Sequence, residues 1–167
     1  MKPEPAELTT NLRDAMMTLM REVLDGAPDR AAYILNRGDR GLLASLDALS
    51  AEQASAQPDG RASVAAHTDH LRYGLSLLNR WAAGEDPWHD ANFSTSWTRL
   101  HVTDEEWRTL RQALAKESRA WMKAASARSD WQTAGITETF ASVVHLAYHL
   151  GAIRQIARAA SGPPAKD

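Results

Sequence analysis

The sequence predicts an all-α fold: a four-helix bundle with a long crossover between its second and third long helices. Three observations predict it. Ala is abundant while β-branched residues are sparse, no stretch alternates apolar and polar residues, and four long segments repeat apolar residues every three to four positions. The 167 residues, 44% of them apolar and 24% charged, fit a single domain spanning residues 1–167, large enough to bury a core without staples.

The first long helix is expected over about residues 6–24, where Leu8, Leu12, Ala15, Met16, Leu19 and Val23 share a stripe. Pro3 and Pro5 precede it, and Gly26 and Pro28 end it. A broken stretch follows. Residues 31–35 read as a short helix, Gly38 and Gly41 interrupt it, and Leu42, Leu43, Leu46 and Leu49 suggest another. Gln57, Pro58, Asp59 and Gly60 form a turn cluster. Ser63 is the expected N-cap of the second long helix, with Val64, His67, Leu71, Leu75 and Leu78 on its stripe, Trp81 at the edge and an end near Gly84.

Residues 85–102 make a long irregular connection, of the kind that crosses over an element or carries function. Trp88 and Trp97 are expected to pin it down. Thr103 and Glu106 then form a capping-box pattern. The helix they open carries Trp107, Leu110, Leu114, Trp121 and Ala125 on one face and should end near Ser129. Residues 131–135 read as a short turn. The last helix is expected over residues 137–160, stopped by Gly162, Pro163 and Pro164. It is apolar nearly all round, with Phe140, Val143, Val144, Leu146, Ala147, Leu150, Ile153 and Ile156, which predicts burial on most sides.

Composition excludes several functions. The absence of Cys removes disulfides, thiolate zinc sites, iron–sulfur clusters and cysteine nucleophiles, leaving His, Asp and Glu as metal ligands. A net charge of −2 gives no bulk attraction for nucleic acid or anionic membrane, and Arg108, Arg111, Arg119 and Arg128 are interleaved with acids around one helix. No apolar run approaches the roughly 20 residues that span a bilayer, and no apolar signal core follows Lys2. The expectation is a soluble cytoplasmic protein without nucleic-acid or membrane partners.

The six histidines carry the chemistry. His145 and His149 sit inside the most apolar helix. Their i, i+4 spacing places them about 40° apart around the axis and roughly 6 Å apart along it, so two imidazoles can point at one ion. The zinc-protease helix motif has this spacing but needs a Glu after its first His. Leu146 stands there, which rejects that reading. A third ligand should come from another helix, as in other bundle metal sites. The second long helix offers His67 and His70, and its helical wheel leaves both open. Three neutral imidazoles suit Zn, Ni, Fe or Cu, and protonation should compete with the metal below about pH 6.5. His89 and His101 read as solvated loop residues. Glu138 and Ser142 fall on the His145 side of the last helix. A start at residue 137 would put Glu138 in the first turn, where the helix dipole alone favours a carboxylate. Tyr148, about 60° from His145, reads as packing at a helix interface.

Two segments resemble the DinB/YfiT-like superfamily of bacterial four-helix-bundle metalloproteins. One runs Ser63, Val64, Ala65, Ala66, His67, Thr68, Asp69, His70, Leu71 and is similar to that family's helix with a His-Leu pair. The other, from His145 through Gly151 to Ile156, is similar to its last-helix pattern His-x-x-x-His-x-Gly. The order and separation of elements match from about residue 8 to residue 160. The resemblance implies a triad of one His from the second long helix and two from the fourth, holding a divalent metal such as Ni or Zn. The His directly before Leu carries over to His70, so the implied ligands are His70, His145 and His149, with His67 as fallback. The resemblance also implies the long crossover, a homodimer, and an activity such as that of thiol-dependent transferases or isomerases. The expected function is therefore a metal-dependent enzyme, of thiol-dependent transferase or hydrolase type, acting on a small molecule. The alternatives are a metal- or small-molecule-binding protein without turnover, and a metal-free association bundle.

Overall fold

The computed structural model describes residues 5–28, 31–128 and 132–164, and among these residues there is no strand. The helices are α1 (Pro5–Asp25), α2 (Gly41–Asp47), α3 (Ala51–Ser55), α4 (Val64–Ala82), α5 (Asp104–Ala127) and α6 (Thr133–Ile156). Short 3₁₀ turns lie at Pro58–Gly60, Pro87–His89, Phe93–Trp97 and Arg158–Ala160. The all-α expectation holds. None of these helices is long and apolar enough to cross a membrane.

Local chemistry starts the helices where the sequence places them. Ser63 Oγ accepts the Ala66 N–H at 3.2 Å and opens α4. Thr103 and Glu106 form both bonds of a capping box at the start of α5. A second box, Ser50 with Gln53, opens the short α3. The four long helices then bury their stripes. Both α1 and α4 pack against α5 and α6, and Met16, Met20, Leu71, Leu114, Trp121 and Leu150 are fully buried between them.

Four expectations are corrected. Residues 31–35 form no helix, and residues 33–35 are bends. The carboxylate of Glu22, buried on α1, accepts the N–H groups of Tyr33, Ile34 and Leu35 at 2.7–3.0 Å, so those donors need no helical carbonyls. Secondly, α6 begins at Thr133, so Glu138 lies in its second turn and the dipole no longer accounts for it. Thirdly, α6 is not covered on most sides. Phe140, Val144 and Tyr148, spaced one turn apart, are 52%, 55% and 69% exposed. Contacts with α1 and α4 bury the opposite side of the helix, and apolar character supplies no further neighbour. Fourthly, the same exposure takes Tyr148 out of a helix interface. The expected positions of Pro3, Ser129 and Trp131 lie outside the described residues.

Gly26 and Gly41 close the loop between α1 and α2. Both have positive φ, +109° and +75°, and a β-carbon on either would strike backbone of the other's segment. Glu22 holds this loop from beneath. Its removal strands three donors that otherwise bond to a charged acceptor. Glu22→Ala should lower stability by about 2–3 kcal/mol, less than the full sum because the opened loop can be hydrated. Urea unfolding should show a lower midpoint at unchanged slope, with Glu22→Gln in between.

Candidate metal centre

The site is built by α4, α6 and the connection between α4 and α5. α4 presents His67 and His70, three residues apart, and α6 presents His145 and His149. His145 Nε2 lies 3.2 Å from His70 Nε2 and 2.9 Å from His149 Nε2. One ring nitrogen from each of His70, His145 and His149 lies within 4.8 Å of the others, with His70 and His149 buried and His145 half-buried. A tetrahedral ion with Zn–N bonds near 2.0–2.1 Å holds its nitrogens about 3.3 Å apart, close to the two short separations.

Hydrogen bonding around the cluster fixes what it presents. Ser96 Oγ donates to the Phe93 carbonyl at 2.7 Å, so at 3.0 Å it accepts from His70 Nδ1. His70 is then the Nδ1–H tautomer, and its Nε2 lone pair faces the cluster. A single hydrogen on His145 Nε2 cannot make two good bonds at once, to His70 and to His149. One cation at the centre would accept a lone pair from each of the three. The donor set therefore fits a metal ion, and imidazole nitrogens suit Zn, Ni, Fe or Cu alike.

His67 belongs to the surroundings of this cluster. Its Nδ1 lies 2.8 Å from His149 Nδ1. When His149 turns its Nε2 lone pair inward, its Nδ1–H donates to His67 and fixes the ring. Trp97 completes the support. It stacks on His70 with centroids 4.3 Å apart and meets His67 edge-on at 5.1 Å. Sequence reasoning missed these roles of Ser96 and Trp97. The available signal was the unusual length of the connection, together with a Trp within it.

The connection is tied down where it must be to hold these groups. Arg99 Nε and Arg72 Nε donate to the two oxygens of buried Asp69 on α4, at 3.0 and 2.6 Å. The Asn92 N–H donates to Tyr73 Oη at 2.8 Å. Ser96 is itself buried. His89 and His101 are exposed and stand apart from the cluster, as expected. Ser142 is occupied: its hydroxyl accepts from Trp121 Nε1 at 2.9 Å and donates to the Thr139 carbonyl at 2.7 Å.

All four imidazoles of the site are held below the ordinary value of 6.5. Burial is the first cause for each. His70 is lowered to about 4, with the charge of His145 and then of His67 adding to burial, and His149 to about 3, with His145, His67 and His70 adding. These two rings stay neutral well below pH 6.5, so proton competition for a metal sets in later than a free imidazole would imply. The unfolded chain binds protons that the folded chain refuses between about pH 6.5 and pH 4. Stability must therefore rise with pH through that window and be lost as pH falls. Metal-free protein should show a lower urea midpoint at pH 5 than at pH 7. The double substitution His70→Ala with His149→Ala should flatten that difference.

A cavity of about 230 Å³ opens beside His145. Leu71, Leu75, Leu78, Leu146, Trp88 and Phe93 wall it, and Glu138 also lines it. The arrangement is three convergent imidazole lone pairs next to an apolar recess large enough for a small molecule. Comparison with protein-family models, curated proteins and solved structures finds no match to this chain.

Proposed function

We propose that this protein is a metal-binding four-helix bundle of the DinB/YfiT-like kind, with the connection between α4 and α5 as its crossover. In this reading His70, His145 and His149 hold one divalent ion, Ni or Zn, and the protein acts on a small molecule in the cytoplasm as a metal-dependent enzyme of thiol-dependent transferase or hydrolase type. The observation that carries the reading is the convergence of three Nε2 atoms whose contacts one set of ring hydrogens cannot satisfy. The recess beside His145 favours turnover or small-molecule binding over a purely structural ion.

A bound ion would supply a Lewis acid for a carbonyl, or acidify a coordinated water or thiol. The chain's own part is to keep the imidazoles neutral, orient them through Ser96 and His67, and line the approach with apolar side chains. The chain lacks Cys, so any thiol must come with the substrate or as a co-substrate. A homodimer is part of the same proposal, with the exposed Phe140, Val144 and Tyr148 of α6 as the face it uses.

The test is elemental analysis of untagged protein purified without chelator, followed by thermal unfolding with and without the metal. About one equivalent of a divalent transition metal is expected. Free metal at a hundred times its Kd stabilises the fold by about 2.7 kcal/mol, which for a chain of this size raises Tm by roughly 5–10 °C. A metal-free preparation whose Tm ignores added Zn and Ni overturns the reading.

A further inference from the structure

The recess beside His145 has a polarity of its own. Its walls are leucines and two aromatic rings, and no Lys or Arg among the described residues lines it. Its polar groups are His145 and Ser142, already committed to the cluster and to Trp121, and Glu138. Glu138 is half-buried and has no hydrogen bond or ion pair among the described residues. It stands seven residues before His145 on α6, almost on the same side of the helix and about 10 Å away along the axis. The first turn of α6 already lies behind it, so the helix end does not explain its charge.

We propose that this recess binds a small molecule with an apolar body and a cationic amine at the end remote from the histidines, with Glu138 as the counter-charge. The other end of the ligand, carrying a carbonyl, hydroxyl or thiol, reaches the histidine cluster. The inference rests on the proposed metal site only for the identity of that reacting end. Size supports it: an apolar cavity of about 150 Å³ takes up benzene, so this one has room for a ring with a short chain. Charge supports it too. An anionic tail would meet the Glu138 carboxylate with no Lys or Arg among the described residues lining the recess to offset it, whereas an ammonium would pair with that carboxylate in a partly desolvated place, where the attraction is stronger than in water.

The test is calorimetric titration of the metal-free protein at pH 7 with 4-phenylbutylamine and with 4-phenylbutyrate, probes that differ only at the charged end. The amine is expected to bind at least tenfold more tightly. Glu138→Gln should erase that preference without moving Tm, and Leu75→Trp, which fills the recess, should abolish binding of both probes. Equal binding of the two probes, a preference that survives Glu138→Gln, or binding that survives Leu75→Trp would overturn the proposal. Uptake of added Ni or Zn is measured separately on the same metal-free preparations. An amine preference in a protein that takes up no metal sinks the metal reading and keeps this one; one equivalent of metal without the preference does the reverse.

Discussion

His149→Ala should empty the metal site, lowering affinity for Ni or Zn roughly a thousandfold or more, beyond the 10- to 100-fold typical of losing an outer hydrogen-bonding partner. The same is expected of His70→Ala and His145→Ala, because each removes one of three converging lone pairs. His67→Ala should fall in the milder class. It removes the acceptor that orients His149 but no ligand. His89→Ala and His101→Ala should be silent, since both residues are exposed and stand apart from the cluster. Competition titration against a chelator of known affinity reads all six variants, and the metal-dependent rise in Tm should vanish for the first three. Should His67→Ala empty the site while His70→Ala leaves it full, the two α4 histidines exchange roles. Should neither matter, the triad is wrong, and His145 and His149 are core residues.

The second large effect is on stability. Trp121 on α5 is fully buried, and its Nε1–H donates to Ser142 Oγ on α6. Trp121→Ala removes that bond and opens a large cavity in the center of the core. A loss of about 3–5 kcal/mol is expected, a substantial part of the 5–15 kcal/mol that typically holds a domain folded. Trp121→Phe keeps most of the volume and loses the donor. The Ser142 hydroxyl still has the Thr139 carbonyl to donate to, so this variant should lose about 1–2 kcal/mol. Trp88→Ala is the contrast. Trp88 is 42% exposed at the wall of the recess and should cost under about 1 kcal/mol. Urea unfolding measures all three, and a Trp121→Ala loss within about 1 kcal/mol of Trp88→Ala would contradict the packing described here.

Local features were legible in the residues alone. Apolar spacing marked α1, α4, α5 and α6, because a helix repeats every 3.6 residues whatever it packs against. Ser63 and the Thr103–Glu106 box were readable as caps because a cap is made within four residues. The His145 and His149 pair was readable for the same reason: both ligands stand on one helix, and the helix fixes their relation. The absence of Cys and the small net charge excluded whole classes of site before any geometry.

Tertiary structure decided everything that depends on a neighbour from elsewhere in the chain. His67 and His70 are three residues apart, so both flank the inward direction of α4. The position of α6 brings His70 to His145 and leaves His67 on the outer nitrogen of His149. Ser96 and Trp97 act on His70 from 26 and 27 residues away, through a connection with no periodicity to read. Nothing within α1 itself marks Glu22, and only the returning loop makes it a buried acceptor. The apolar surface of α6 stated a preference for burial, but the number of helices available to cover it is a property of the whole fold, and Phe140, Val144 and Tyr148 are left exposed. Local pattern fixes backbone conformation because the bonds that make it lie within a turn or two; side-chain partnerships across the fold depend on distances that no short stretch of chain contains.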